Sequence, residues 1–447
     1  MQRPLIAVLI ASAFLTLNAQ AADLIQVYQQ ALANDATYAS ARSSLAAGQE
    51  RITQGRAGLL PNISASGTNL RNNGEFIPFN EGVLDVVNGQ LVLPKRSDVD
   101  NHTNTYTVSL SQPLFNWSLW QSYQQSKLAQ AVAEATFAQA RQDLITRVAQ
   151  AYFDVLTAQD NLTSTQAQKV ATTEQLASAK RNFEVGTQTI TDTHEAQAAY
   201  DLVVAQEFAA INDLDNKRTA LQVIVGKAPG ELAPLRTGVT IDPPSPAVVD
   251  PWVGSAEDQN FAVISAQLQL EIAKREIARN RGNHMPTLNL TAAAQHTNQT
   301  AYGANNNKAI GVTWTVPIFS GFAVTSQVRE SIALEDKARN DLEATKRNAS
   351  QTARQAFLGM TSGLAQVKAL EAAEVSSKSS LDSNKLGYQV GVRINIDVLN
   401  AQKLLYSTQK DLSKARYDTI MNGLRLKSAA GTLKEEDLAP VNALLAH

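Results

Sequence analysis

The sequence of 447 residues contains no cysteine, which excludes disulfide bonds, thiol catalysis and metal sites built from thiolates. It also lacks an excess of either charge, because 39 lysines and arginines stand against 41 aspartates and glutamates. A net charge of -2 gives no reason to expect a nucleic-acid partner. After the N-terminus, no stretch is long and apolar enough to cross a bilayer as a helix.

Catalytic and metal-binding patterns are missing as well. The five histidines are not spaced as HxxxH or as any related ligand pattern. No grouping of Ser, His and carboxylate stands out, and neither does a phosphate-binding glycine loop. We therefore expect neither an enzyme nor a bound cofactor or metal ion.

Residues 1–21 have the features of a secretory signal peptide. Arg3 gives a positive start, Leu5 to Leu17 form a short apolar run, and Ala19-Gln20-Ala21 is a small-x-small cleavage site. The apolar run is shorter than the roughly 20 residues that a membrane anchor needs. We expect an exported chain whose mature form begins near Ala22.

The chain also repeats itself. FEVGTQTITDTHEAQAAYD around Gly186 matches YQVGVRINIDVLNAQKLLY around Gly391, 205 residues later. The segments at Pro113 and Pro317 match at an offset of 204, and those at Pro61 and Pro286 at an offset of 225. The larger offset indicates a longer loop between the two prolines of the first half.

These matches predict two repeats of one plan, residues 22–226 and residues 255–431, each with a helix, a β-hairpin and a long helical hairpin. The β-hairpins are expected over about 61–113 and 286–317, and the helical hairpins over 114–226 and 318–431. Residues 227–254 hold six of the 14 prolines and predict an irregular connector. A C-terminal segment, 432–447, completes the chain.

The helical hairpins should be very long. Leu114 to about Val185 contains no proline or glycine and much alanine, which favours helix. About 70 residues at roughly 1.5 Å each make a rod on the order of 100 Å. One helix is expected before the strands of each repeat, over Asp23 to Gly58 and over Ala256 to Arg281.

The first long helix has two adjacent apolar faces. One carries Ile145, Ala149, Tyr152 and Leu156, and the other carries Leu144, Val148, Ala151 and Val155. A helix that is apolar on two faces has neighbours on both sides, as in a wall, so we predict a hollow cylinder with four helix equivalents per chain. A solid coiled-coil stalk is the alternative that helix length alone leaves open.

Alternating residues predict four strands. In TYTVSLSQ, Tyr106, Val108 and Leu110 face one way and hydroxyl residues face the other. Such strands suit a barrel with lipid outside and water inside, although a soluble sheet with one wet face is an alternative. Four strands cannot close a membrane barrel, which needs roughly eight or more. The sequence therefore predicts an oligomer.

Several motifs resemble the TolC family of outer-membrane channel proteins over essentially the whole mature chain. They are DLIQVYQQAL, LLPNIS, TRVAQAYFDVL, ITD after VGT, YQVGVRINIDVLNAQKLLY and AAGTLKEEDL. The resemblance implies a mainly α fold with a β-barrel. In it, a homotrimer builds a twelve-stranded outer-membrane β-barrel that is continuous with a twelve-helix periplasmic α-barrel. The connector and the C-terminal segment would form a mixed α/β equatorial belt.

The function implied by the resemblance is an exit duct for type I protein secretion or tripartite multidrug efflux. Its implied partners are outer-membrane lipid, a periplasmic adaptor (membrane fusion) protein and an inner-membrane ABC or proton-driven transporter. A periplasmic adaptor or scaffold built on helical hairpins is the alternative. An adaptor should contain a β-rich lipoyl-like module, and none is visible. The loop from Arg71 to Thr103 is expected to be extracellular.

The resemblance further implies a gate at the periplasmic tip. The family's restraining links carry over as Tyr388 to Asp192 and Arg393 to Thr191. Hydrogen bonds of this kind are worth about 0.5–3 kcal/mol each, so a docking partner can break them. The alternative is that these four residues only cap helix ends.

Two further sets of tip residues carry over by position. Asp397 would form a ring of carboxylates that favours cations at the pore entrance, whereas the family's second acidic position is Asn400 here, which weakens the expected selectivity. The turns Val185-Gly186-Thr187 and Val390-Gly391-Val392 correspond to the docking site for the adaptor. Glycine at each turn permits a left-handed backbone.

Overall fold

The computed structural model describes residues 21–76, 85–87, 90–92, 97–236, 238–300 and 303–446. The predicted signal peptide, except for its last residue, and part of the predicted extracellular loop lie outside these residues. The described residues fall into two compact units. The first unit takes them from Met1–Ser44, Ala135–Ile264 and Ala344–His447, and the second from Leu45–Glu134 and Ser265–Glu343. Each unit takes segments from both sequence repeats.

The described chain is mainly helical, and its longest helices, α3 and α7, have 68 and 67 residues. The helices are α1 Leu24–Asn34, α2 Ala36–Ala57, α3 Trp117–Glu184, α4 Ile190–Val225, α5 Val249–Gln259, α6 Phe261–Gly282, α7 Ala323–Gln389, α8 Asn395–Ala429 and α9 Leu438–Asn442, with a 3-10 turn at Glu435–Asp437. Over the residues described, none of these helices combines the length and the hydropathy needed to cross a membrane.

The second unit contains a four-stranded antiparallel sheet. Its strands are β1 Asn62–Phe76, β4 Ser97–Phe115, β5 Thr287–Gln299 and β6 Gly303–Thr315, in the order β1-β4-β5-β6. A small separate hairpin, β2 Asp85–Val87 with β3 Gln90–Val92, lies within the predicted extracellular loop. The sheet joins the two repeats, since β4 comes from the first and β5 from the second.

The register of the sheet sorts its residues by polarity. Ile63 lies opposite Leu110, Leu110 opposite Ala292, and Ala292 opposite Ile310, so one apolar row crosses all four strands. The next residues along β1 and β4 are polar, and the hydroxyls of Ser64 and Ser109 lie 2.9 Å apart. The sheet therefore has one apolar face, and that face is exposed in the single chain: Ile310 is 79% exposed.

In the first unit, Tyr152 on α3 joins the core to the connector. Of the eight residues predicted on the two apolar faces of this helix, seven are buried and Ala151 is half-buried. The Tyr152 hydroxyl donates to the carbonyl oxygens of Ala233, at 2.8 Å, and Ala22, at 3.2 Å. Burial raises the pKa of the Tyr152 phenol, which keeps it protonated as a donor. The buried helix faces thus hold the N-terminus and the connector against α3.

A single helix before the strands was expected in each repeat, and the structure has two. Asp35 ends α1, and its carboxylate accepts a hydrogen bond from the backbone N–H of Tyr38, at 2.6 Å, at the start of α2. Asn260 ends α5 and accepts from the N–H of Ala262, at 2.9 Å, at the start of α6. Aspartate and asparagine side chains compete with the helical backbone for such hydrogen bonds. The two breaks are 225 residues apart, so they belong to the repeat.

We predict that Gly431→Ala destabilises the protein more than Gly186→Ala. Both glycines have positive φ, 73° and 75°. In both alanine variants the left-handed backbone conformation therefore costs about 1–2 kcal/mol of stability. A Cβ on Gly431 would also lie 2.2 Å from the carbonyl oxygen of Gln259, whereas one on Gly186 would meet nothing within 4 Å. Overpacking adds about 1–3 kcal/mol. Thermal unfolding of the two purified variants tests this, and equal midpoints would contradict it.

Candidate functional site

The candidate site lies in the first unit, where two helical hairpins end. We call residues 182–196, the end of α3, the turn and the start of α4, the first tip; residues 387–402, the end of α7, the turn and the start of α8, are the second tip. The chain reverses at Gly186 and at Gly391, whose φ values are 75° and 80°. At each tip the N–H after the glycine donates to a carbonyl five residues earlier: Thr187 to Asn182, and Val392 to Gly387, both at 2.9 Å. These are Schellman-type helix ends.

The helices that leave the two tips begin differently. Helix α4 has a capping box in which the side chains of Thr189 and Asp192 each accept from the other residue's backbone N–H. Helix α8 has Ile394 at the same position, which offers no side-chain cap. Asp397 in its first turn instead lies 3.7 Å from the guanidinium of Arg393. That ion pair lies at the surface and contributes little stability, but the carboxylate complements the positive end of the helix.

Tyr388 connects the two tips. Its hydroxyl donates to Oε1 of Gln188 at 2.8 Å, and Nδ2 of Asn182 lies 3.5 Å from the same hydroxyl. The ring packs against a buried cluster of the second hairpin, which consists of Leu381, Val398, Ala401 and Leu405. The Tyr388 ring therefore packs against its own hairpin, and its hydroxyl is hydrogen-bonded to the other hairpin.

The pairs expected from the resemblance are not the ones that form in the single chain. Tyr388 bonds Gln188 where Asp192 was expected, and the Asp192 carboxylate accepts from the Thr189 hydroxyl. Arg393 pairs with Asp397, and Thr191, its expected partner, is exposed. The pattern Thr-x-x-Asp at the start of α4 is a capping-box signal. It would have predicted this use of Asp192 from the sequence.

A second connection between the tips, which no sequence motif indicated, is made by Asn395. This asparagine is completely buried at the start of α8. Its Nδ2 donates to the backbone carbonyl of Asp192 at 3.0 Å, and its Oδ1 accepts from Nε2 of Gln175 on α3 at 2.6 Å. Tyr388 and Asn395 thus each tie the second hairpin to the first through neutral hydrogen bonds.

The remaining predicted site residues lie at the surface of the tips. Asp397 is half-buried and Asn400, three residues later on α8, is exposed. All six residues of the two turns are exposed, and Val185, Val390 and Val392 present apolar side chains to solvent. In the part of the chain that the structure describes, no cluster of His, Asp and Glu could hold a metal ion.

Comparison with known proteins places these features in a family. The family described as "Outer membrane efflux protein" matches residues 27–227 and 252–432. Outer membrane protein TolC of Escherichia coli is 33% identical over 99% of this chain and 88% of its own length. Alkaline protease secretion protein AprF of Pseudomonas aeruginosa is 31% identical over 95% of this chain and 88% of its own. The crystal structure of the outer membrane protein VceC from Vibrio cholerae superposes with a TM-score of 0.76, at 19% identity, over 91% of this chain and 96% of that one.

Proposed function

This chain belongs to the outer membrane efflux protein family, and on that premise we propose that three copies enclose one export duct with a gate at the two tips. The protein has the fold of these channels and resides in the outer membrane. Its function is that of an outer-membrane channel for type I secretion and efflux. The predicted fold class and family are confirmed. The homotrimer, the gate and the partners are the proposal.

The observation that carries the trimer is the four-stranded sheet with an exposed apolar face. β1 and β6 are its outer strands, and each has a neighbour on one side only within the described chain. A strand in lipid must pair its backbone groups on both sides, since no water is available there. Joining β6 of one copy to β1 of the next satisfies both edges, and three copies supply a closed barrel of twelve strands.

The gate rests on the hydrogen bonds between the tips. For the second hairpin to separate from the first, the Tyr388–Gln188 bond and the other bonds between the tips must be exchanged for bonds to water, at a net cost of about 0.5–1.5 kcal/mol per bond. Neither Arg393 nor Thr191 takes part in the capping box of α4. Both residues are exposed, so their side chains are available to adjacent copies in a trimer. We propose that the restraining contact between Arg393 and Thr191, and any contact of Tyr388 with Asp192, forms when the three copies assemble.

Partners and cargo follow from the same surfaces. The exposed apolar turns around Gly186 and Gly391 suit docking of a periplasmic adaptor protein, which would link the duct to an inner-membrane ABC or proton-driven transporter. That transporter supplies the energy. Because one relative is a protease secretion protein and the family is defined by efflux, the cargo class is a secreted protein, a small toxic molecule or both.

The proposed assembly is tested with the mature chain purified from membranes. It should fractionate with the outer membrane, run as a trimer in detergent and conduct ions across a planar bilayer. A periplasmic adaptor or scaffold would instead appear in the soluble or inner-membrane fraction. A stable monomer that passes no ions would overturn the proposal.

We predict that the double variant Tyr388→Phe with Arg393→Ser increases single-channel conductance. It removes the phenol that bonds Gln188 and the guanidinium near Asp397, so the closed tip loses polar contacts. Tyr200→Phe is the control, since Tyr200 packs on the first hairpin and its hydroxyl makes no hydrogen bond in the described chain. Conductance equal to that of wild type in the double variant would count against the latch.

We further predict that Asp397→Asn reduces cation preference and that Asn400→Asp increases it. The first change removes one carboxylate per copy from the entrance, and the second adds one a turn further along α8. Reversal potentials in a salt gradient measure both. If neither substitution shifts the reversal potential, these residues do not line the conducting path.

A further inference from the structure

Asn395 occupies a position where the two repeats differ. Its counterpart 205 residues earlier is Ile190, the first residue of α4. Ile190 is 47% exposed, whereas Asn395 is 0% exposed. An apolar side chain faces solvent at one tip, and an amide is fully buried at the other. This is the reverse of the usual distribution, so the buried amide calls for a physical reason.

That reason is not the capping of its own helix. α8 starts without a side-chain cap, although asparagine is among the best capping residues. Both polar atoms of the Asn395 amide are engaged by the other hairpin: Nδ2 by the carbonyl oxygen of Asp192 on α4, and Oδ1 by Gln175 on α3. Asn395 is therefore the meeting point of three helices, and its amide is satisfied only when the second tip lies against the first.

Gln175 shows the same dependence from the opposite side. It is 9% exposed, and the one hydrogen bond that its side chain makes in the described chain is the 2.6 Å bond to Asn395. Separating the hairpins removes the hydrogen bonds of two buried side-chain amides, those of Asn395 and Gln175, and the bond that Asn395 donates to the Asp192 carbonyl. A buried polar group left without a partner is costly until water reaches it. A small relative movement of the tips therefore costs free energy. A separation wide enough to admit water costs less, because water replaces the lost hydrogen-bond partners.

We propose that Asn395 sets the register of the second hairpin on the first and serves as an inner latch, separate from Tyr388. The claim rests on the proposed gate. A buried asparagine between packed helices specifies register because only one alignment pairs its amide. An apolar residue at this site would pack in several alignments. Asn395 is a positioning residue, since it acts on the alignment of the helices and need not touch the cargo.

The test is a double-mutant cycle in the full-length trimer, with Asn395→Leu, Gln175→Leu and the two combined. Each single variant leaves one buried amide without its partner, so we expect the ratio of open to closed channels in a planar bilayer to rise roughly 5- to 30-fold. In the double variant both buried amides are gone and two apolar side chains face each other. The ratio of open to closed channels in the double variant should therefore rise by clearly less than the product of the two single effects.

Ser407→Leu is the matched control, because Ser407 lies on the same helix, is exposed and belongs to neither tip. It should leave the open fraction unchanged. A second readout is amide hydrogen exchange, which should become faster at both tips in Asn395→Leu and stay the same in the control. If Asn395→Leu does not assemble, Asn395→Asp replaces it, since the carboxylate keeps the shape but cannot donate to the Asp192 carbonyl.

The outcomes separate the two claims. A wild-type protein that never conducts would overturn the proposed function itself. A conducting wild type that opens further in the Tyr388 and Arg393 double variant would uphold the gate. If in that protein Asn395→Leu behaves like Ser407→Leu, or the cycle is strictly multiplicative, Asn395 is no latch.

Discussion

A strand edge in hydrocarbon must find a hydrogen-bonding partner, and the rest of the proposed assembly depends on this requirement. The described sheet has four strands, an apolar row across all of them and two outer strands, β1 and β6. No single chain can satisfy those edges in lipid. Repetition of the chain around an axis satisfies them, and it also provides neighbours for the exposed apolar side chains of the long helices, such as Phe208 and Leu358.

Internal duplication explains much of the first unit. Asp35 and Asn260 break the helix at equivalent places, and Gly226 and Gly431 end the long hairpins at equivalent places. In each repeat the glycine that ends the hairpin lies against the residue just before the break: Gly226 against Asn34 and Gly431 against Gln259. In each repeat, the Asp or Asn at the break and the glycine without a Cβ thus allow the two short helices to pack closely against the end of the long hairpin.

The duplication fails at the tips, and the failure is informative. The first tip closes on itself, because Thr189 and Asp192 cap α4. The second tip leaves its own helix uncapped and sends Asn395 and Tyr388 to the first hairpin. Repeats that needed only to be stable would have no reason to differ in this way. The difference is what one expects where one hairpin is the fixed element and the other is held to it by bonds that can be broken.

The sequence by itself determined the elements and the family. Proline and glycine placement, period-two alternation and the matched motifs are local or self-similar features, and they were sufficient for the strands, the long helices and the turns at Gly186 and Gly391. The helix breaks at Asp35 and Asn260 were missed, because the choice between capping and continuing a helix depends on small energy differences. Only the tertiary structure decided which polar groups meet at the tips. Tyr388 reaches Gln188 and Asn395 reaches Gln175 across about 200 residues of chain, and hydrogen bonds over such separations leave no periodic trace in a single sequence.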